Sequence, residues 1–207
     1  MNLKQLFDKY KCDKSSKHRY HEVYEPLLSP YKEDRIQFLE VGIFHGASTA
    51  AFDDYFENGD IYGIDIFTRT KPDELPVLQR ESVHWVKGDS MKPDVADKVR
   101  AKFGEDISFD FILDDGAHYP LSNELTFKYL WPLLKVGGTF IIEDVWPIDI
   151  MGFDEMQHHW MQKYPDRYNK ATSEAFMRTL ENSGGVITRH DLRKYNPDSY
   201  VITIEKI

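Results

Sequence analysis

Asp115, His118, Glu143 and Asp144 combine the residue types and the spacing of a reactive site. Asp115 follows the apolar run FDFIL, and Glu143-Asp144 follow the run TFII, so all three acids stand at the ends of short strand-like patterns. Neighbouring parallel strands lie about 4.8 Å apart, close enough for terminal carboxylates to converge. Carboxylates at that range repel and raise one another's pKa. A hard divalent cation removes the conflict, and oxygen-only ligands favour Mg²⁺, Mn²⁺ or Ca²⁺ over zinc. Asp115, Glu143 and Asp144 are therefore assigned to a metal. His118 lies three residues beyond Asp115, where a neutral imidazole can take a proton from a substrate hydroxyl. Asp115 and His118 thus read as a catalytic pair that makes an alcohol oxygen nucleophilic.

A second constellation reads Glu40-x-Gly42-x-x-x-Gly46, with Ser48 opening the helix behind it. Glycines at a strand-to-helix turn let the backbone approach a ligand, and the helix N-terminus offers free N–H groups. Asp65 ends the next strand, where an acid can accept hydrogen bonds from both hydroxyls of a ribose. Asp89 ends the one after and can reach an adenine amino group. Glu40, Gly42, Gly46, Ser48, Asp65 and Asp89 are read as cofactor-binding. Asp114 joins them in a supporting role, because strand alternation points it away from Asp115. A dinucleotide reading fits less well, since Phe44 stands where the second glycine of G-x-G-x-x-G belongs.

The elements that position these groups follow from the hydrophobic pattern. Strands are expected at 36–41, 60–64, 83–87, 109–113 and 139–142, with Gly137-Gly138 turning the chain into the last of these. Helices are expected at 48–56, 95–103, 121–134 and 173–182. Two final strands, 185–190 and 199–205, are joined by Asn196-Pro197-Asp198 and read as an antiparallel pair. Strands alternating with helices imply a mainly parallel sheet, and in such sheets ligands bind beyond the carboxyl ends of the strands, where every residue named above falls.

With the glycine turn and its acids in place, the chain resembles class I S-adenosylmethionine-dependent methyltransferases. The resemblance implies an α/β, Rossmann-like class I methyltransferase fold: a mainly parallel seven-stranded sheet with a C-terminal antiparallel hairpin and helices on both faces. It implies S-adenosyl-L-methionine as cofactor, its methionine part at Glu40, Gly42 and Gly46 and its ribose at Asp65. The segment FDFILDDGAHYPLSNELTFKYLWPLLKVGGTFIIED, residues 109–144, is more specifically similar to metal-dependent sugar O-methyltransferases of the macrocin and mycinamicin type. In that group a D-G-x-H element and an E-D pair supply metal ligands and a base, which map onto Asp115, His118, Glu143 and Asp144. The N-terminal Asp13-Lys14-Ser15, His18, Tyr20 and Tyr24 also resemble an element of that group, expected to pack over the cofactor. Catechol-type enzymes carry Lys in place of His118 and Asp-Asn in place of Glu143-Asp144, so both differences point away from catechols.

The bulk properties agree. A length of 207 residues fits one domain, with 1–34 as a cofactor-covering segment and 147–182 as a substrate lid. In that lid Trp146, Met151, Phe153 and Trp160 offer apolar area, whereas His158-His159, being adjacent, cannot share a helix face as metal ligands. A net charge of −9 argues against nucleic acid as a partner. No apolar run reaches the roughly 18–20 residues that span a bilayer, so no membrane partner is expected. A single cysteine, Cys12, points to a reducing, cytoplasmic setting. The sequence reading is a Mg²⁺- or Mn²⁺-dependent O-methyltransferase acting on a sugar hydroxyl of a small molecule or glycoconjugate. Alternatives are methylation of a phenolic or other small-molecule hydroxyl, or a non-catalytic S-adenosylmethionine-binding subunit. The resemblance also suggests a homo-oligomer.

Overall fold

In β1 (Gln37–Val41), Phe38, Leu39 and Val41 are all nearly inaccessible, as a strand covered on both faces requires. It sits inside a seven-stranded sheet with β2 (Asp60–Asp65), β3 (Val83–Lys87), β4 (Phe109–Asp114), β5 (Leu134–Ile142), β6 (Val186–Asp191) and β7 (Tyr200–Glu205). The structure, a computed structural model, describes residues 1–145 and 163–207. The strand order is β3-β2-β1-β4-β5-β7-β6; β7 runs antiparallel to β5 and β6, and the other pairings are parallel. This is the mainly parallel sheet that the sequence resemblance implies, with the expected C-terminal antiparallel hairpin. The order reverses direction between β1 and β4, and such a switch point opens a crevice beyond the carboxyl ends of both strands.

Alternating residues of the central strands feed two cores. On one face α1 (Leu3–Lys9), α3 (His21–Leu28) and α4 (Ala47–Tyr55) pack Phe7, Tyr24 and Phe52 against Phe38, Phe111, Leu113 and Ile141. On the other, α5 (Val95–Phe103), α6 (Pro120–Leu130) and α7 (Lys170–Glu181) pack Val99, Phe127, Leu130 and Phe176 against Leu39, Ile112, Phe140 and Ile142. A short helix, α2 (Asp13–Ser16), links α1 to α3.

Three expectations change. Gly137-Gly138 lie inside β5 rather than before it: β4 pairs Phe109 with Leu134 but Phe111 with Thr139, so β5 bulges. Gly138 fits there because a Cβ would strike the Asp110 carbonyl, at 2.7 Å. The helix expected at 121–134 stops at Leu130, and Trp131–Leu133 form a 3-10 turn around Pro132, which disfavours helix in the residue before it. The final hairpin is closed by a longer loop than Asn196-Pro197-Asp198, pinned where the Leu192 N–H donates to the Ser199 carbonyl. Trp146, Met151, Phe153, His158, His159 and Trp160, with residues 147–162 of the expected lid, lie outside the described residues; the rest of that stretch includes α7, which buries Phe176 and Leu180 in the core. Among the described residues no helix is long and apolar enough to cross a membrane.

Candidate active site at the carboxyl edge of the sheet

The glycine turn after β1 is built by conformational need. Gly42 has φ +92° and Gly46 has φ +75°, backbone that favours glycine. A Cβ on Gly42 would collide with the carbonyl oxygen of Asp115, so glycine lets the β1 turn touch the β4 turn. Glu40 points into the face covered by α4 and is fully buried, accepting hydrogen bonds from the hydroxyls of Ser48 and Thr49. Burial lifts its pKa to about 7, against the pull of those two hydroxyls. The Glu40 and Ser48 side chains, expected as cofactor contacts, hydrogen-bond each other beneath the turn and fix its shape, and Ser48 also borders the cavity beside it.

Asp65 is tied into the same turn. Its carboxylate accepts the Phe44 N–H at 3.0 Å and the Phe67 N–H at 2.6 Å. Asp89 caps its own loop by accepting the Met91 N–H at 3.0 Å. A cavity of about 630 Å³ opens beside the turn, bordered by Gly42, Phe44, Gly46 and Ser48 on one side and Tyr10, Lys11 and Lys14 on the other. That volume is within the range of small-molecule sites, roughly 300–1,000 Å³. Asp65 and Asp89 do not border it among the described residues.

Beyond β4 and β5 the pleat sorts the acids. Leu113 and Ile141 face the α1–α3–α4 side, so Asp115 and Glu143, two residues on, face it too. Asp114 turns to the other side, where it is buried and accepts from the Asn123 side chain at 3.0 Å and the Gly116 N–H at 3.2 Å. Burial raises its pKa to about 6. Asp114, grouped with the cofactor residues in a supporting role, clamps the β4 turn to α6.

His118 brings the imidazole between two strand ends. Its Nε2 lies 3.4 Å from Asp115 Oδ1 and its Nδ1 lies 3.6 Å from Asp144 Oδ2. Asp115, His118 and Asp144 offer ligand atoms that all lie within 4.8 Å of one another. The two carboxylates, both partly open to solvent, suit a divalent cation such as Mn²⁺ or Mg²⁺, and the His118 imidazole stands beside them. Glu143, expected as a third ligand, is 1% exposed and belongs to no such group among the described residues; both its oxygens are already taken.

What takes them is the N-terminal segment, which sequence reasoning placed over the cofactor. Residues 10–14 do line the cavity opposite the glycine turn. The longer side chains, however, reach past it to the acids. The Lys14 ammonium donates to Asp115 Oδ2 at 2.6 Å and to Glu143 Oε2. Tyr24 donates to Glu143 Oε1, and Tyr20 to Asp144 Oδ1. Tyr20 and Tyr24 are four residues apart at the start of α3, hence neighbours on one helix face. His18 Nδ1 contacts Ser199 Oγ at 2.9 Å and lies 3.5 Å from Asp144, forming a second cluster of possible ligands with Asp198. Burial pushes Asp115 upward, but Lys14 and His118 outweigh it and hold the carboxyl below its usual range. For Glu143 burial dominates and its pKa is raised.

Backbone strain marks the same edge. Phe44, Phe67, His118 and Asp144 have φ values of 50°, 48°, 54° and 50°. Non-glycine residues in this region cost on the order of 1–3 kcal/mol each and gather at functional sites. Each of the four lies within a few residues of a strand's carboxyl end. No local sequence signal announces them.

Fold and edge together define a methyltransferase domain. Residues 39–145 match the family described as "Methyltransferase domain", and the chain belongs to that family. It is similar to the mycinamicin VI 2''-O-methyltransferase of Micromonospora griseorubida, 28% identical over 137 residues, covering 63% of this chain and 32% of the relative. It is also similar to the demethylmacrocin O-methyltransferase of Streptomyces fradiae, 28% identical over 160 residues, with 73% and 38% covered. The chain thus spans between 32% and 38% of the length of these curated relatives. Among solved structures, MycE methyltransferase from the mycinamycin pathway, in complex with Mg and SAH, superposes with a TM-score of 0.73 at 21% identity, covering 100% of this chain and 55% of that one. The fibrillarin pre-rRNA processing protein of Methanococcus jannaschii gives 0.60 at 20% identity, covering 84% and 67%. These superpositions show the shared fold.

Proposed function

We propose that this chain methylates a sugar hydroxyl on a small molecule or glycoconjugate, using S-adenosylmethionine and a divalent cation, Mg²⁺ or Mn²⁺. The observation that carries the reading is the convergence of Asp115, His118 and Asp144 within 4.8 Å, on a turn that packs against Gly42. The relatives support the acceptor class: besides those above, one is named as acting on a rhamnosyl tetracenomycin-C at a 2'-oxygen, from Streptomyces olivaceus. MycE, named as binding Mg and SAH, supports the cofactor and the ion.

When bound, S-adenosylmethionine supplies an electrophilic methyl group and the cation lowers the pKa of the acceptor hydroxyl. The chain's own residues do the rest. Asp115 and Asp144 present carboxylate oxygens to the ion. His118 receives the hydroxyl proton as the oxygen becomes nucleophilic. Gly42 and Gly46 would allow close approach of the cofactor, Asp65 and Asp89, at the ends of β2 and β3, would serve its ribose and adenine, and residues 10–14 would line its other side. Cys12, buried and unpaired, fits a reducing cytoplasmic setting.

The test is transfer of a labelled methyl group to a panel of sugar glycosides and phenols. Transfer to a sugar oxygen, lost with EDTA and restored by Mg²⁺ or Mn²⁺, is the expected result. Activity that survives EDTA overturns the metal role, and methylation confined to phenols overturns the acceptor class. Calorimetry with S-adenosylhomocysteine and NAD separately checks the cofactor.

A further inference from the structure

The N-terminal segment occupies one oxygen of each open acid and leaves the other. Lys14 takes Asp115 Oδ2, and Asp115 Oδ1 faces His118. Tyr20 takes Asp144 Oδ1, and Asp144 Oδ2 faces His118. Glu143 keeps neither oxygen, since Lys14 and Tyr24 hold one each. Lys14 itself has a side chain only 4% exposed, so its charge is fixed between Asp115 and Glu143 rather than waving in solvent. A dication held at Asp115 would stand within a few ångströms of that ammonium, and like charges at such range repel strongly when poorly solvated.

We propose that Lys14 is a positioning residue: a built-in counter-ion that holds Asp115 and Glu143 together in the cation's absence and competes with the cation for them, keeping metal affinity low and exchangeable. This rests on reading the edge as a metal centre. Competition is reciprocal, so a divalent ion must loosen Lys14 as much as Lys14 weakens the ion. Glu143 then becomes available as a ligand only as Lys14 withdraws.

Electron paramagnetic resonance of Mn²⁺ alone, titrated into the full chain without cofactor, tests this. Mn²⁺ is expected to bind the wild type, to be lost in Asp115→Asn, to bind Lys14→Met about tenfold tighter or more, and to bind Lys14→Arg like the wild type. Equal or weaker binding by Lys14→Met, with the wild type binding, overturns the proposal alone. No Asp115-dependent binding by the wild type overturns the metal-centre reading and the proposal with it. Should Lys14→Met fail to fold, the wild type suffices: Mn²⁺ is expected to speed modification of the Lys14 amine by an acylating reagent, read by mass spectrometry. A rate unchanged by Mn²⁺ overturns the proposal.

Discussion

At the β1–β2 end of the carboxyl edge, acids are satisfied by neighbours in the chain. Glu40 is held by Ser48 and Thr49, eight and nine residues away, and Asp65 by Phe67, two residues away, with Phe44 at a separation of 21. At the β4–β5 end the partners are remote. Lys14 is 101 residues from Asp115 and 129 from Glu143; Tyr24 is 119 from Glu143 and Tyr20 is 124 from Asp144. The first half is a turn that braces itself. The second is a set of charges that repel until another part of the molecule arrives. A self-contained turn can bind a cofactor as a unit, while the remote half makes its reactive geometry depend on the whole fold.

Four measurements can break or sharpen this contrast. If chemistry belongs to the remote half alone, His118→Ala should lose about 10²–10⁴-fold in turnover while S-adenosylhomocysteine affinity, read by calorimetry, stays unchanged. Next in size is a pH effect in the self-braced half. Burial raises Glu40 from its ordinary 4.5 to about 7, so the folded chain keeps a proton that the unfolded chain has lost. The stability this confers is complete below the lower value and vanishes as pH climbs through the upper one. Urea unfolding should therefore show the wild type losing on the order of 2–3 kcal/mol relative to Glu40→Gln between about pH 5 and pH 8. A parallel pH dependence in both proteins would mean that Glu40 is not the proton holder.

Smaller, and aimed at the independence of the halves, is a reciprocal pair. Asp65→Asn should weaken S-adenosylhomocysteine about tenfold and spare Mn²⁺, and Asp115→Asn should do the reverse. Either substitution moving both affinities would merge the two halves into one unit. The smallest effect expected is that of Tyr24→Phe. It removes one donor from buried Glu143 but leaves Lys14, so denaturant midpoints should report about 1 kcal/mol of lost stability.

The same contrast explains what the sequence could tell. Strand ends, the glycine turn and the identities of Asp115, His118, Glu143 and Asp144 were readable because period and position are local. The parity of β4 and β5 also separates Asp114 from Asp115. The contacts of Lys14 were not readable, since nothing near residue 14 records an acid 101 positions away. The hydrogen bond between Ser48 and Glu40 was not foreseen, because their spacing fits mutual hydrogen bonding as well as ligand contact. The Gly137-Gly138 pair was taken as a turn because glycine doublets mark turns and bulges alike.

Asp144 has a history as well as a geometry. Tyr20 and His18, which hold it, precede it in the chain; Ser199, which anchors His18 at 2.9 Å, and Asp198, 3.6 Å from the same ring nitrogen, follow it. Synthesis releases a chain from its N-terminus. A ribosome that has just passed residue 144 has therefore already made every acid of the centre, yet the frame around His18 is still unwritten. The cluster ripens after its own acids exist, and a truncated nascent chain carries those acids without the scaffold that aims them.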